Sequence, residues 1–312
     1  MSLVALLKGN GPSGFGYGST AEQVTEGLNL GGRTILVTGC NSGLGLETMR
    51  VLTKRGARII GTGRTAEKVR LACAAFDSDV LALACDLSDP DSIRACVASV
   101  QLGAKLDAVI CNAGIMALPK LEQAFGYELQ FFTNHIGHFM LVTGLLGHLA
   151  DNARLVIVSS SAHTRASKEG IQFDNLSGEK GYSPWTAYGQ SKLANILFAK
   201  ELARRLAGTG KTANALHPGV IKTNLGRSMP TSARVGLWIA SPIAFKSVAE
   251  GAATQCYVAT HPKLARVSGE FFADCNVAES NALSRDAALA SRLWEVSERI
   301  VENLPSRPRS VA

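Results

Sequence analysis

A chain of 312 residues that is 46% hydrophobic and only 18% charged, with a mean hydropathy of +0.12, can bury a large apolar core, which excludes intrinsic disorder for most of its length. The net charge of +7, from 32 basic and 25 acidic residues, is dispersed, its densest group being Arg307 to Arg309, so a nucleic-acid partner gives way to a solvated basic surface. Seven cysteines without any C-x-x-C pair exclude a metal framework and a disulfide scaffold, and they suit a reducing, cytoplasmic compartment.

The apolar run at the N-terminus, about five residues, is too short for a signal peptide, and no stretch of about 18 apolar residues predicts a membrane span. Residues 1–32 read as an extension: a Gly-rich opening, GNGPSGFGYG, then STAEQVTEGL, where Ser19 and Thr20 can cap a short helix with Glu22 close behind. From residue 33 the pattern alternates. RTILVTG is an apolar run of strand length, GLGLETMRVLTKRG is helix-periodic and stops at Gly56, and RIIGTG is a strand again. TAEKVRLACAAF predicts a helix, VLALACD a strand, and DPDSIRACVASVQ a helix capped by Asp89 with Pro90 in its first turn. Next come the strand LDAVICNAG, one long helix over GYELQFFTNHIGHFMLVTGLLGHL, the strand ARLVIVSS, the helix TAYGQSKLANILFAKELARRLA and the strand KTANALHPG.

Strands alternating with helices build βαβ units, hence an α/β fold with a doubly wound parallel sheet of Rossmann-like type. The strands are continuous apolar runs, as strands covered on both faces are. No composition shift divides residues 33–303, so a single domain is expected there, with a substrate-lid insertion over 224–247, a terminal helix near 286–303 and a flexible tail over 304–312.

The first strand runs through Thr38-Gly39-Cys40-Asn41-Ser42-Gly43-Leu44-Gly45 into a helix, where glycines let backbone amides and the helix dipole meet a pyrophosphate. The second strand ends in Gly61-Thr62-Gly63-Arg64. No carboxylate stands there for the 2′-hydroxyl of NAD, and Arg64 suits a 2′-phosphate, so NADP(H) is expected. Asp86 and Leu87 follow the third strand beside the expected adenine, although Asp86 reads equally as a turn residue, and Asn112-Ala113-Gly114 makes a small-residue turn after the fourth.

Tyr188 and Lys192, four apart, share one helix face. An ammonium held beside a phenol favours the phenolate, so Lys192 should lower the pKa of Tyr188 toward a value useful for proton transfer. Ser159-Ser160-Ser161 closes the fifth strand at the carboxyl edge of the sheet, and Asn134 is a polar residue amid apolar ones. His135 and His138 lack a carboxylate or Cys at ligand spacing, so no metal is expected.

Taken in order, T-G-x-x-x-G-x-G at Thr38–Gly45, Asp86, N-A-G at Asn112–Gly114, Asn134, Ser160, Tyr188-x-x-x-Lys192 and Pro218-Gly219 resemble the short-chain dehydrogenase/reductase family. NHIGHF, VSSSAH, AYGQSKLANILF and NALHPGVIKTNL are similar to its subgroup of retinol dehydrogenases, WW-domain oxidoreductase and chloroplast import-associated reductases, and STAEQVTEGL to the last of these. The resemblance implies that Tyr188 is the general acid/base, that Lys192 lowers its pKa and holds the nicotinamide ribose, that Ser160 binds the substrate oxygen, and that Asn134 fixes a relay water. It implies cofactor contacts from Gly39, Asn41, Ser42, Gly43, Leu44 and Gly45, and from a loop over the nicotinamide with Pro218, Gly219, Ile221 and Thr223. Cys111 stands where the family usually has a second Asn, and the His163–Trp185 stretch is an insertion that should wall the substrate pocket.

Val235, Leu237, Trp238, Ile239, Ile243, Ala244 and Phe245 make an apolar lid, which suggests a lipophilic alcohol, aldehyde or ketone. Core packing, a dimer contact and peripheral membrane association are competing readings of the same residues. The expected function is thus NADP(H)-dependent hydride transfer between a CH–OH and a carbonyl group. The alternatives are an NADP(H)-sensing scaffold for a protein partner with little turnover, and protochlorophyllide reduction. A homodimer or homotetramer is implied because in this family the helices around Asn134 and Tyr188 often form subunit interfaces.

Overall fold

The computed structural model describes residues 8–74, 76, 80–221 and 245–305. Eight strands form one sheet: β1 (Thr34–Thr38), β2 (Arg58–Gly63), β3 (Val80–Ala84), β4 (Leu106–Cys111), β7 (Leu149–Val158), β8 (Thr212–His217), β9 (Phe271–Ala273) and β10 (Asn276–Val277). Their order is β10-β9-β8-β7-β4-β1-β2-β3, all parallel except the short β10, which turns back on β9. A two-stranded hairpin, β5 (Gln123–Ala124) and β6 (Tyr127–Glu128), stands apart.

Strand β1 shows why the runs are apolar throughout. Leu36 pairs with Ile60 and Val109 and enters one core with them, whereas Ile35 pairs with Ile59 and Ala108 and enters the core on the other face. Period-two alternation therefore feeds two hydrophobic layers instead of one. One layer is covered by α4 (Pro90–Gln101), α6 (Gly137–Leu145), α7 (Pro184–Arg205) and α9 (Ala287–Glu302). The other is covered by α1 (Ala21–Val24), α2 (Gly43–Lys54), α3 (Ala66–Cys73) and α8 (Val248–Thr260).

The expected caps form at Asp89, whose side chain accepts from the Asp91 amide with Pro90 at the helix start, and at Thr20. The box at Thr20 closes through Gln23 rather than Glu22, because the reciprocal bond needs the third helical position. Two expectations change. The single long helix over 126–149 is instead β6, a three-residue turn α5 (Leu129–Phe131), a π-turn at Phe132–Ile136, α6, and a 3₁₀ turn before β7. The π-turn is carried by the Gly137 amide donating to Phe132 O, and Gly137 itself lies so close to the β3–α4 loop that a Cβ would come within 2.3 Å of Leu87 O. Leu304, expected in the flexible tail, is buried, and the Arg94 guanidinium donates to its carbonyl. The expected lid residues Val235, Leu237, Trp238, Ile239, Ile243 and Ala244, and Arg307 to Arg309, lie outside the described residues.

Candidate active site

Strand order reverses between β1 and β4, and ligands of open α/β sheets bind outside the carboxyl ends of strands at such a point. Thr38 ties the two strand ends together. Its hydroxyl accepts from the Asn112 and Ala113 amides, both at 2.9 Å, and Asn112 Nδ2 donates to Thr38 O. With both backbone donors aimed at it, the Thr38 hydroxyl proton can go to His138 Nε2 at 2.9 Å or to the more distant Ile110 O at 3.5 Å, and His138 Nδ1–H donates to Asn134 O at 3.0 Å. The shorter of the two goes with a neutral His138, which agrees with burial pushing its pKa down to about 4.

Beyond Thr38 the chain turns through Gly39 (φ +73) and Gly43 (φ +61) into α2. The turn is tight: a Cβ on Gly45 would lie 2.3 Å from Gly39 O, and one on Gly39 would lie 3.0 Å from Ala113 Cα. Ser42 is the N-cap, yet its side chain makes no capping bond, which leaves the first amides of α2 as donors for an anion. Asn41 is exposed and reaches toward Gly63, while Leu44 is buried. Arg64 stands exposed just past β2, with no ion-pair partner among the described residues. These residues fit a dinucleotide with a negatively charged adenosine end.

The other half of the crevice is closed by side chains. Tyr188 and Lys192, on one face of α7, are 7% and 4% exposed. Ser160 stands beside Tyr188, where its side chain favours the phenolate, and its Oγ accepts from the Ala162 amide. Ser159 turns the opposite way and donates to Lys192 O at 2.7 Å. Lys192 Nζ donates to Val158 O at 3.1 Å and lies 5.7 Å from the Tyr188 ring centre. Gly114 borders it, since a Cβ there would be 3.5 Å from Nζ.

Burial dominates the titration of both groups. It pushes Tyr188 up to about 12, offset in part by the Ser160 side chain, and pushes Lys192 down to about 8. The expected lowering of Tyr188 by Lys192 is therefore not a property of the protein alone: the ammonium donates to Val158 O and sits 5.7 Å from the phenol ring centre, and desolvation disfavours the charged form of each.

Asn134 sits in the π-turn. Its Oδ1 accepts from the Ile115 amide, and its Nδ2 donates to Ile115 O and to Ser191 Oγ. The side chain is thus fully engaged with protein, leaving only its carbonyl, already shared with His138, to hold a water. Asp86 accepts from Ser88 N and Ser88 Oγ, the turn alternative noted for it, and the Leu87 side chain is buried in the core. Pro218, Gly219 and Ile221 follow β8 at the same edge; Thr223 lies outside the described residues. Trp185, from the insertion, meets the Tyr188 ring edge-on at 6.2 Å.

Thr38, His138 and Ser191 escaped sequence reasoning as site residues, because a Thr before a Gly or a His in an apolar helix carries no local signal of a long-range partner. His135, the other half of the rejected metal pair, bonds Ser297 Oγ at 2.8 Å. Among the described residues no three His, Cys, Asp or Glu are grouped to hold a metal, and no helix is long and apolar enough to cross a membrane.

Fold and crevice together define a Rossmann-type oxidoreductase. More particularly, the short chain dehydrogenase family matches residues 33–233, and the chain belongs to it. It is 40% identical to the short-chain dehydrogenase TIC 32 A, chloroplastic, of Brassica napus over 330 residues, covering 98% of this chain and 100% of that protein. It is 39% identical to retinol dehydrogenase 14 of Homo sapiens, covering 86% of each. Among solved structures it resembles a blue fluorescent protein from a metagenomic library in complex with NADPH, at 26% identity and a TM-score of 0.62, covering 78% of this chain and 96% of that one.

Proposed function

We propose that this chain is an NADP(H)-dependent dehydrogenase/reductase that interconverts lipophilic alcohols with aldehydes or ketones, using Tyr188, Ser160, Lys192 and Asn134. The observation that carries it is the buried Tyr188 phenol beside Ser160, one helical turn from the buried Lys192, whose Nζ lies 5.7 Å from its ring centre, at the carboxyl edge of β7 and β4.

The bound nicotinamide supplies or takes the hydride. Tyr188, protonated throughout the neutral range, gives its proton to a carbonyl oxygen in reduction and must lose it for oxidation. Ser160 would donate to the same oxygen, and Lys192 has two N–H donors beyond the one given to Val158, available to a ribose and to the proton path. Asn134 holds the backbone at Ile115 in place and so sets the floor beneath Gly114. On the adenosine side, Gly39, Asn41, Ser42, Gly43, Leu44 and Gly45 bind the pyrophosphate, Arg64 the 2′-phosphate, and Asp86, Leu87, Asn112 and Ala113 border the adenine and ribose. Pro218, Gly219 and Ile221 would cover the nicotinamide, and the family pattern adds Thr223.

The NADPH bound by the structural relative and the name of the retinol dehydrogenase relative support the cofactor and the substrate class. The test is a screen of aliphatic, aromatic, steroid and retinoid carbonyls with NADPH oxidation as readout. Tight NADPH binding with no oxidation across the panel would sink the enzymatic reading in favour of a sensor.

We further propose a cytoplasmic, reducing location, supported by seven free cysteines; fractionation checks it, given a chloroplastic relative. We also propose a homodimer or homotetramer, with gel filtration as the test; one part of the surface of α6 and α7 is already taken within the chain. That part is covered by α9, where Trp294 packs against Phe139 at 4.9 Å and Phe198 at 5.8 Å.

A further inference from the structure

We propose that Lys246 is a positioning residue for the Pro218–Ile221 loop, locked by Asp274 and by Tyr17 of the N-terminal extension. This role deepens the dehydrogenase reading above and rests on it, because it gives the extension a task at the nicotinamide end of the crevice.

Lys246 is 1% exposed, and its Nζ lies 2.6 Å from Asp274 Oδ1 and 4.7 Å from the centre of the Tyr17 ring. Its amide donates to Val220 O at 2.9 Å, and Ile221 pairs with it as a parallel bridge. The stem of the side chain lies against Gly219, where a Cβ would come within 2.6 Å of Lys246 Cδ and the backbone has φ +98. On its other side the loop meets the pyrophosphate turn and α8: a Cβ on Gly251 would be 2.5 Å from Ile221 Cδ1 and 2.8 Å from Leu44 Cδ2. The loop is thus held at Gly219 by the lysine stem and at Ile221 against α8 beside Leu44, while Val220 between them is exposed.

Asp274 is itself held. It sits at φ +51 in the β9–β10 turn, followed by Cys275 at φ +62, and the extension grips that turn. Ser13 N donates to Asn276 Oδ1 at 2.9 Å, Asn276 Nδ2 donates to Phe15 O at 3.0 Å, and Lys8 Nζ lies 3.9 Å from Asp274. Phe15 packs edge-on to Tyr257 of α8 at 5.6 Å. Contacts therefore run without a break from the extension through Asp274 and Lys246 to the loop.

A methionine would fill the same channel without the desolvation that a buried ammonium costs. What the charge adds is register. The ammonium must stay with its carboxylate and over the Tyr17 face, and this fixes the stem and with it Gly219.

The test uses the full chain and the variants Lys246→Met, Lys246→Arg, Asp274→Asn, Tyr17→Leu and the double Lys246→Met/Asp274→Asn. In the cofactor-free protein, hydrogen exchange of the amides of residues 219–221 and of residue 246 should quicken about tenfold in Lys246→Met, the size of coupling between contacting groups. NADPH titration should show affinity falling about tenfold and KM rising with it, while kcat at saturating NADPH changes less than about threefold. Asp274→Asn should be worse than the double variant, because it strands a buried charge. Lys246→Arg should recover part of the affinity, and Tyr17→Leu should lose about twofold to threefold. Loop exchange and NADPH affinity both unchanged in Lys246→Met overturn the proposal; should that variant not fold, unchanged loop exchange in Asp274→Asn and Tyr17→Leu overturns it equally. A wild-type chain that binds no dinucleotide would instead sink the dehydrogenase reading, with the exchange results still deciding whether the clamp holds the loop.

Discussion

The two halves of the crevice are built on opposite principles. Around Tyr188 the polar groups are mostly buried and anchored to protein: Lys192 to Val158, Asn134 to Ile115 and Ser191, His138 to Thr38 and Asn134. Around Gly39–Gly45 the donors are left open, with an uncapped first turn of α2 and an exposed Arg64. A site for proton transfer must hold its groups still and dry, because a misplaced or solvated phenol loses its advantage. A site for phosphates needs donors without partners, because the ligand brings the charge that satisfies them.

The sharpest way to break this comparison is Tyr188→Phe, which removes only the hydroxyl. Turnover should fall by about 10³-fold or more, while NADPH titration remains measurable, because the phosphate half is untouched. Near-normal turnover would remove Tyr188 from the chemistry. Next in size, Gly45→Ala should destabilise the chain by about 3 kcal/mol and cost most of the NADPH affinity, since its Cβ would meet Gly39 O at 2.3 Å and Asn112 Nδ2 at 2.6 Å. Thermal melts with and without NADPH separate the two losses.

Arg64→Ala should leave the fold and NADH binding intact and reduce NADPH affinity by about ten- to a hundredfold, the worth of one charge-assisted contact. An NADH preference in the wild type that Arg64→Ala leaves unaltered would refute its 2′-phosphate role. A separate effect falls on acid stability. Burial pushes His135 down to about 3 and His138 and His217 to about 4. Between pH 6.5 and 4 the unfolded chain therefore binds protons that the folded chain refuses, so stability falls as pH falls through that window. A melting temperature that holds steady from pH 6.5 to 4 would contradict the buried neutral histidines; hydrogen exchange should show the loss on the Tyr188 side first.

Much of the fold was legible because its signals are local. Apolar runs of strand length, the Asp89-Pro90 start of α4 and the glycines after β1 each state their structure within a few residues. The π-turn at Phe132–Ile136 was not, because nothing in FFTNHIGHF announces that Gly137 will meet Leu87 O and that Asn134 will bond Ile115. The strands β9 and β10, of three and two residues, are too short to show a period. Ser160 and Ser159 are alike in the sequence; only the end of β7 decides that one faces Tyr188 and the other Lys192 O.

By itself, the sequence determined the alternating α/β order, the Gly-rich turn, the tyrosine and lysine one helical turn apart, and a cation where a carboxylate would otherwise stand. Each follows from spacing along one element or one turn. Only the tertiary structure decided which donors are spent and which are free, that burial raises Tyr188 instead of Lys192 lowering it, and that Lys246, Asp274 and Tyr17 converge beneath the Pro218–Ile221 loop. Those are properties of residues far apart in the chain, and desolvation and pairing exist only once folding has brought them together.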